Sequence, residues 1–209
     1  MNYEITAIEI QKKDAERCSV FINGEFSFGL SKKAVERYGL RAGSVLGEEQ
    51  YETLMMQLQL DKAKFKALDS ISRGGKTEKQ IKEKLLQAEY STYIVDEVLA
   101  FLKKYNYIND DDYARRYIDS KSHYSHKSLR QIKAELYQKG ISITDFTTYC
   151  EDPDKVEQEN IDYFLEKYRY NDELEFKNKQ KIINRILTKG FSYSNIERCI
   201  RRKNEGFDA

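Results

Sequence analysis

Three segments of this chain repeat one another at a spacing close to 50 residues, and no other feature limits its fold as strongly. Placing Ser91, Ser142 and Ser192 in register brings Ile81, Ile132 and Ile182 together. It also matches Leu85 with Leu136 and Ile186, Tyr90 with Ile141 and Phe191, and Val95 with Phe146 and Ile196. The shared apolar positions recur at three- and four-residue steps, the spacing of one helix face. Glu89, Gly140 and Gly190 fall between the matched helices, where a left-handed residue would end the first of each pair. The aligned serines are natural N-caps for the helices that follow. A third helix is expected before each pair, over 62–72, 110–121 and 156–168. One such unit buries too little apolar surface to stand alone, so neighbours must stack.

The composition agrees with a helical array. Charged residues make up 34% and hydrophobic residues 40%, with one Pro and 10 Gly among 209 residues. So much charge and so few breakers suit thin cores, much surface and an elongated form. The first 50 residues read differently. Ile5, Ile8 and Ile10 lie in a β-prone run that ends in a turn at Lys12-Lys13-Asp14. The segment from Cys18 to Phe28 has Asn23-Gly24 at its centre, a hairpin signal because both turn positions need positive φ. A three-stranded meander is expected, covered on one face by a short helix that Ser31 caps and Gly39 stops. After Gly47 the pattern is helical, with a long stretch from Glu48 to about Ser72, a break at Gly74-Gly75, and a helix from Thr77 whose Ile81, Leu85 and Leu86 share one face. The expected organisation is a β-meander with a short helix over 1–50, a linking helix and first three-helix repeat over 51–109, a second repeat over 110–155 and a third over 156–209.

The net charge is +1, from 36 basic and 35 acidic residues, so a whole-chain basic footprint for nucleic acid is missing. The spread is uneven, with five basic against ten acidic residues over 151–180. Cys18, Cys150 and Cys199 show no CxxC spacing, which argues against a disulfide framework and for a reducing compartment. No apolar run is long enough to span a membrane, and the N-terminus lacks a signal-peptide pattern. A cytoplasmic protein is expected.

No catalytic constellation stands out, and no enzyme activity, metal or cofactor is expected. Gly75-Lys76-Thr77 lacks the spacing and context of a nucleotide-binding loop. Asp110, Asp111 and Asp112 point about 100° apart on a helix, so an acidic first turn explains them better than a metal cage. His123 and His126 can share a face but have no local third ligand. The charges are more informative. Lys121, Lys127, Arg130 and Lys133 lie in a stretch with no acidic residue from Ser120 to Ala134, with Tyr124 interleaved. Arg115 and Arg116 precede it. Arg198, Arg201 and Arg202 share a helix face, and Arg73 and Lys76 flank Gly74-Gly75. Each group reads in two ways: as a surface for phosphates or carboxylates, or as a solvated helix face, with the 198–202 group also offsetting a helix dipole.

Several of these segments together resemble the RecX family, bacterial modulators of the RecA recombinase. Ser72-Arg73, followed by Thr77-Glu78 and a helix through Leu85, is similar to the family's first-repeat pattern. Tyr107-Ile108-Asn109-Asp110 with Tyr113-Ala114 resembles its linker into the second repeat, with Asn106 where the family usually has Gly. Ile132 to Ile141 matches its "I..EL..KGI" pattern, and the opening hairpin resembles the N-terminal extension of some members. The resemblance implies three tandem three-helix repeats in a curved array, and a monomer is expected. It further implies binding in the groove of a RecA–single-stranded DNA filament, with inhibition of filament extension, ATP hydrolysis and strand exchange, and so a role in recombination, DNA repair and the SOS response. Weak direct DNA binding fits the local basic groups. Two other functions remain open on the residues alone: a helical nucleic-acid-binding module acting without RecA, and a helical-repeat scaffold for another protein. In the repeat register Lys127 and Arg130 lie off the Ile132/Leu136 face and are expected to be exposed.

Overall fold

The computed structural model describes residues 2–205. The chain divides into two compact units, Met1–Lys66 and Ala67–Ala209.

The first unit opens with strands β1 (Tyr3–Gln11), β2 (Asp14–Ile22) and β3 (Glu25–Ser31), joined by tight turns. Asn23 and Gly24 take φ of 51° and 83°, the pair of positive values that a two-residue hairpin turn requires. Ser31 then caps α1 (Lys32–Arg37) by accepting from the Ala34 amide. A short fourth strand, β4 (Val45–Leu46), pairs with β1 and completes an antiparallel sheet of order β3-β2-β1-β4. The sequence pattern did not reveal β4, because two residues are too few to show alternation. One face of the sheet buries Ile5, Val20, Ile22, Phe28 and Leu30. Its cover is shared, which corrects the expectation that the short helix suffices. α1 offers only the half-buried Ala34 and Val35, while Leu54 and Leu58 of the long helix α2 (Glu48–Ser72) complete the core.

In the second unit the expected repeat is present. The last turns of α2 precede α3 (Glu78–Gln87) and α4 (Thr92–Lys104). Next come α5 (Asp110–His123) and α6 (Leu129–Gln138), then α7 (Pro153–Lys167), α8 (Phe176–Leu187) and α9 (Tyr193–Glu205). Leu85, Leu136 and Ile186 are each fully buried. Glu89, Gly140 and Gly190 all adopt positive φ, at 62°, 91° and 91°. Three details differ from the sequence reading. Leu86 is exposed. Ile183 is buried in the third core, and Ile182 packs against it half-buried. Ser142 caps no α-helix; beyond it lies a single 3-10 turn, Phe146–Thr148. The Asp145 carboxylate takes both the amide and the hydroxyl of Thr147, at 2.9 and 2.6 Å. Such side-chain bonds compete with helix, as do the β-branched Ile143, Thr144, Thr147 and Thr148.

Two joints of one construction link the three repeats. Thr77, the N-cap of α3, accepts from the Gln80 amide and donates its hydroxyl to the Lys139 carbonyl at the end of α6, at 2.7 Å. The first amide of α3, that of Glu78, donates to Asp110 Oδ1 of α5 at 2.9 Å. One repeat later, Ser128 caps α6 and donates to the Lys189 carbonyl at the end of α8, at 2.8 Å. There the Leu129 amide donates to Glu157 Oε1 of α7 at 2.5 Å. Each middle helix thus inserts its N-terminus between two helices of the next repeat. The close approach explains the glycines: a Cβ on Gly140 would lie 2.6 Å from Lys79 Cβ, and one on Gly190 2.6 Å from Ser128 Oγ. Glu89 holds the equivalent turn of the first repeat, which has no helical repeat before it, and a full side chain fits there. Asp110 therefore caps a neighbouring helix, while Asn109 caps α5 itself.

Candidate interaction surface

The basic residues singled out in the sequence fall on different helices and meet different fates. On α5, Arg115 lies over the Tyr149 ring at 5.6 Å. Arg116 pairs with Asp112 at 2.9 Å within the same helix. Lys121 lies 5.4 Å over the ring of Tyr117. A lysine not singled out in the sequence, Lys139, sits 5.5 Å from that same ring. The Tyr117 hydroxyl donates to Glu135 Oε2 at 2.8 Å.

Lys127 is the main correction. It is half-buried and ion-paired with Glu135, not free in solvent. Burial opposes ionisation of Glu135, but hydrogen bonds from Lys127 and Tyr117 outweigh it and lower the carboxyl's pKa. Burial, together with the bond to Glu135, pushes the Tyr117 hydroxyl pKa up. Glu135 stands one residue beyond the acid-free stretch and eight from Lys127. That separation crosses the start of α6, so no single-helix pairing rule connects the two. Arg130 and Lys133 differ from Lys127. Both are exposed on α6, and among the described residues neither has an ion pair. Three and six residues beyond Lys127, they lie one helical turn apart on the outer face.

The two other groups lie on other elements. Arg73 pairs with Asp69, and Lys76 is half-buried in the turn before α3. On α9, Arg202 reaches α7, where it pairs with Asp162 and donates to Gln158 Oε1 at 2.7 Å. It ties two helices together and so is no free cation. Among the described residues Arg198 makes only a long contact to Asn195, at 3.4 Å, and Arg201 is exposed. His126 stacks on Tyr163 with ring centroids 3.6 Å apart, and its Nδ1 bonds Asn160 at 3.0 Å. Its ring is thereby engaged in the contact between the second and third repeats. Among the described residues no group of three His, Cys, Asp or Glu could hold a metal ion, and no helix is long and apolar enough to cross a membrane.

Comparison with known proteins fits this architecture. The family model for the regulatory protein RecX N-terminal domain matches residues 3–47, the unit of the small sheet. Models for the first and second three-helix domains of RecX match 63–102 and 109–144. Regulatory protein RecX of Clostridioides difficile is 32% identical over 95% of this chain and 94% of that protein. Regulatory protein RecX of Leuconostoc mesenteroides is 34% identical, over 95% of this chain and 75% of its own. A crystal structure of regulatory protein RecX superposes with a TM-score of 0.67 at 28% identity, covering 93% of this chain and 97% of that one. With sheet, repeats and relatives in agreement over nearly the whole length, the chain belongs to the RecX family of regulatory proteins.

Proposed function

We propose that this protein binds the RecA–single-stranded DNA filament and restrains its extension, ATP hydrolysis and strand exchange, thereby modulating recombination and DNA repair. It acts without catalysis or cofactor, as a cytoplasmic monomer, with weak direct affinity for DNA. Family membership supports the choice of partner. The observation that carries the reading is the division of the second repeat's cations: Lys127 is consumed by Glu135, while Arg130 and Lys133 stand exposed and unpaired among the described residues. A chain of net charge +1 with such local groups suits a target that presents protein and nucleic acid together. Lys121, Lys139 and Arg115, each over a tyrosine ring, are further candidates in the second repeat, and Lys76, Arg198 and Arg201 are secondary candidates. Arg73, Arg116 and Arg202, already paired with acids, contribute least.

Fluorescence anisotropy with a labelled single-stranded oligonucleotide, bare or RecA-coated, tests this. Tight binding to the coated strand is expected, with weak and salt-sensitive binding to the bare one. Equal affinity for both would favour a DNA module that acts without RecA.

A further inference from the structure

The third repeat carries a groove that the filament reading does not use. It lies where α7 ends and α8 runs past, with a volume of about 550 Å³. Tyr168, Leu174 and Ile182, all half-buried, supply apolar surface, and Arg169, Lys181 and Arg185 bring three cations. Among the described residues no carboxylate lines it, although the stretch 151–180 is the most acidic of the chain. Asp172, in the adjoining loop, is held by Lys179 at 3.4 Å. Among the described residues none of the three groove cations has an acidic partner within ion-pair distance. The Arg185 guanidinium lies 4.3 Å over the Tyr168 ring, which fixes its plane and leaves its N–H edges free to meet a carboxylate.

The backbone places one of the three cations. Arg169 sits at φ 56°, in the left-handed region that disfavours a long side chain. The same turn follows α4, where Asn106 holds φ 54°. The two turns share their hydrogen bonds: Asn106 to Lys103 and Tyr107 to Leu102, Arg169 to Glu166 and Tyr170 to Leu165. Asparagine suits that conformation better, but Glu89 holds the same turn after α3 with the same bonds, so the turn accepts a long side chain and sets the Arg169 guanidinium at the groove.

We infer that this groove docks an acidic peptide segment bearing a large apolar side chain. The apolar side chain fills the space over Leu174 and Ile182, and flanking carboxylates meet Arg169, Lys181 and Arg185. A nucleic acid fits less well, because the one aromatic ring in the groove is already covered by Arg185 and offers no open platform for base stacking. The inference does not depend on the filament reading.

The test uses the full-length protein and a short fluorescein-labelled peptide with aspartates flanking one phenylalanine, followed by anisotropy. Saturable binding is expected, about tenfold weaker for Arg185→Gln, for Lys181→Gln and for Arg169→Asn. Arg169→Asn should at the same time hold or raise the melting temperature, which separates loss of binding from loss of fold. A peptide with serine in place of the phenylalanine should bind at least tenfold more weakly. Absence of saturable binding, or unchanged affinity in all three variants, would overturn the assignment. So would displacement of the peptide by oligothymidylate whose own affinity falls in the same variants, since the groove would then be a nucleic-acid site.

Discussion

Ser128→Ala probes the joint between the second and third repeats. Ser128 is fully buried, and its hydroxyl both accepts from the Gln131 amide and donates to the Lys189 carbonyl at 2.8 Å. Losing the cap costs about 1 kcal/mol. The Lys189 carbonyl is then left without its partner in a partly buried place, which adds about 1 kcal/mol, the low end for an unsatisfied group. The total is about 2 kcal/mol. Ser91 is the control: it caps α4 in the same way, is exposed, and among the described residues its side chain makes no hydrogen bond to another repeat. Ser91→Ala should cost only the cap, about 1 kcal/mol. For a chain of this size each kcal/mol shifts the melting temperature by about 2–4 °C, so the two variants should separate clearly. Urea titrations followed by far-ultraviolet circular dichroism give the comparison as a difference in midpoint at constant slope. Equal shifts for the two serines would mean that the 128–189 bond contributes nothing and that the joint is not a stabilising contact.

Other outcomes follow from the same geometry. Gly140→Ala should destabilise by about 2 kcal/mol or more, because the new methyl meets Lys79 at 2.6 Å and sits at φ 91°, whereas Glu89→Gly should change stability by no more than about 0.5 kcal/mol. Thermal melts of the two variants decide it. Burial raises the Glu157 carboxyl above its ordinary 4.5, so its contribution to stability is complete below pH 4.5 and is lost as pH rises through the raised value. Unfolding free energies measured from pH 4.5 to 7 should therefore show a smaller decline with pH in Glu157→Gln than in the parent. Burial pushes the Cys199 thiol up to about 11 and leaves it 1% exposed, while Cys150 is only half-buried. Alkylation of the native protein followed by mass spectrometry should modify Cys150 first and Cys199 last.

Much of the helical architecture was legible because it is periodic. A repeat offers three chances to see each cap and each apolar step, and Leu85, Leu136 and Ile186 occupy their cores as the alignment requires. The Asn23-Gly24 hairpin was legible for a local reason, since two positive φ values narrow the choice of residues. What escaped notice depends on contacts between distant segments. The hydroxyl bonds of Thr77 and Ser128 cross 62 and 61 residues, and each residue reads in sequence as an ordinary cap. Lys127 looked free because its partner Glu135 lies past the helix start, and Arg202 looked free because Asp162 is 40 residues away. An acid-free run is evidence about neighbours in sequence, not about neighbours in space. The missing third helix of the second repeat has a nearer cause: Asp145 and its threonines favour a turn, a local preference that the repeat alignment overrode on paper but not in the fold.

The charges of the second repeat give the most direct measurement. Inhibition of RecA's single-stranded-DNA-dependent ATPase is titrated with the parent protein, with Arg130→Glu combined with Lys133→Glu, and with Arg201→Glu combined with Arg202→Glu. The α6 double reversal should weaken inhibition by roughly tenfold or more, the α9 pair by less, with the α6 variant melting like the parent because both residues are exposed and unpaired among the described residues. An α6 variant that melts normally and still inhibits at the parent's concentration would show that this face does not meet the filament.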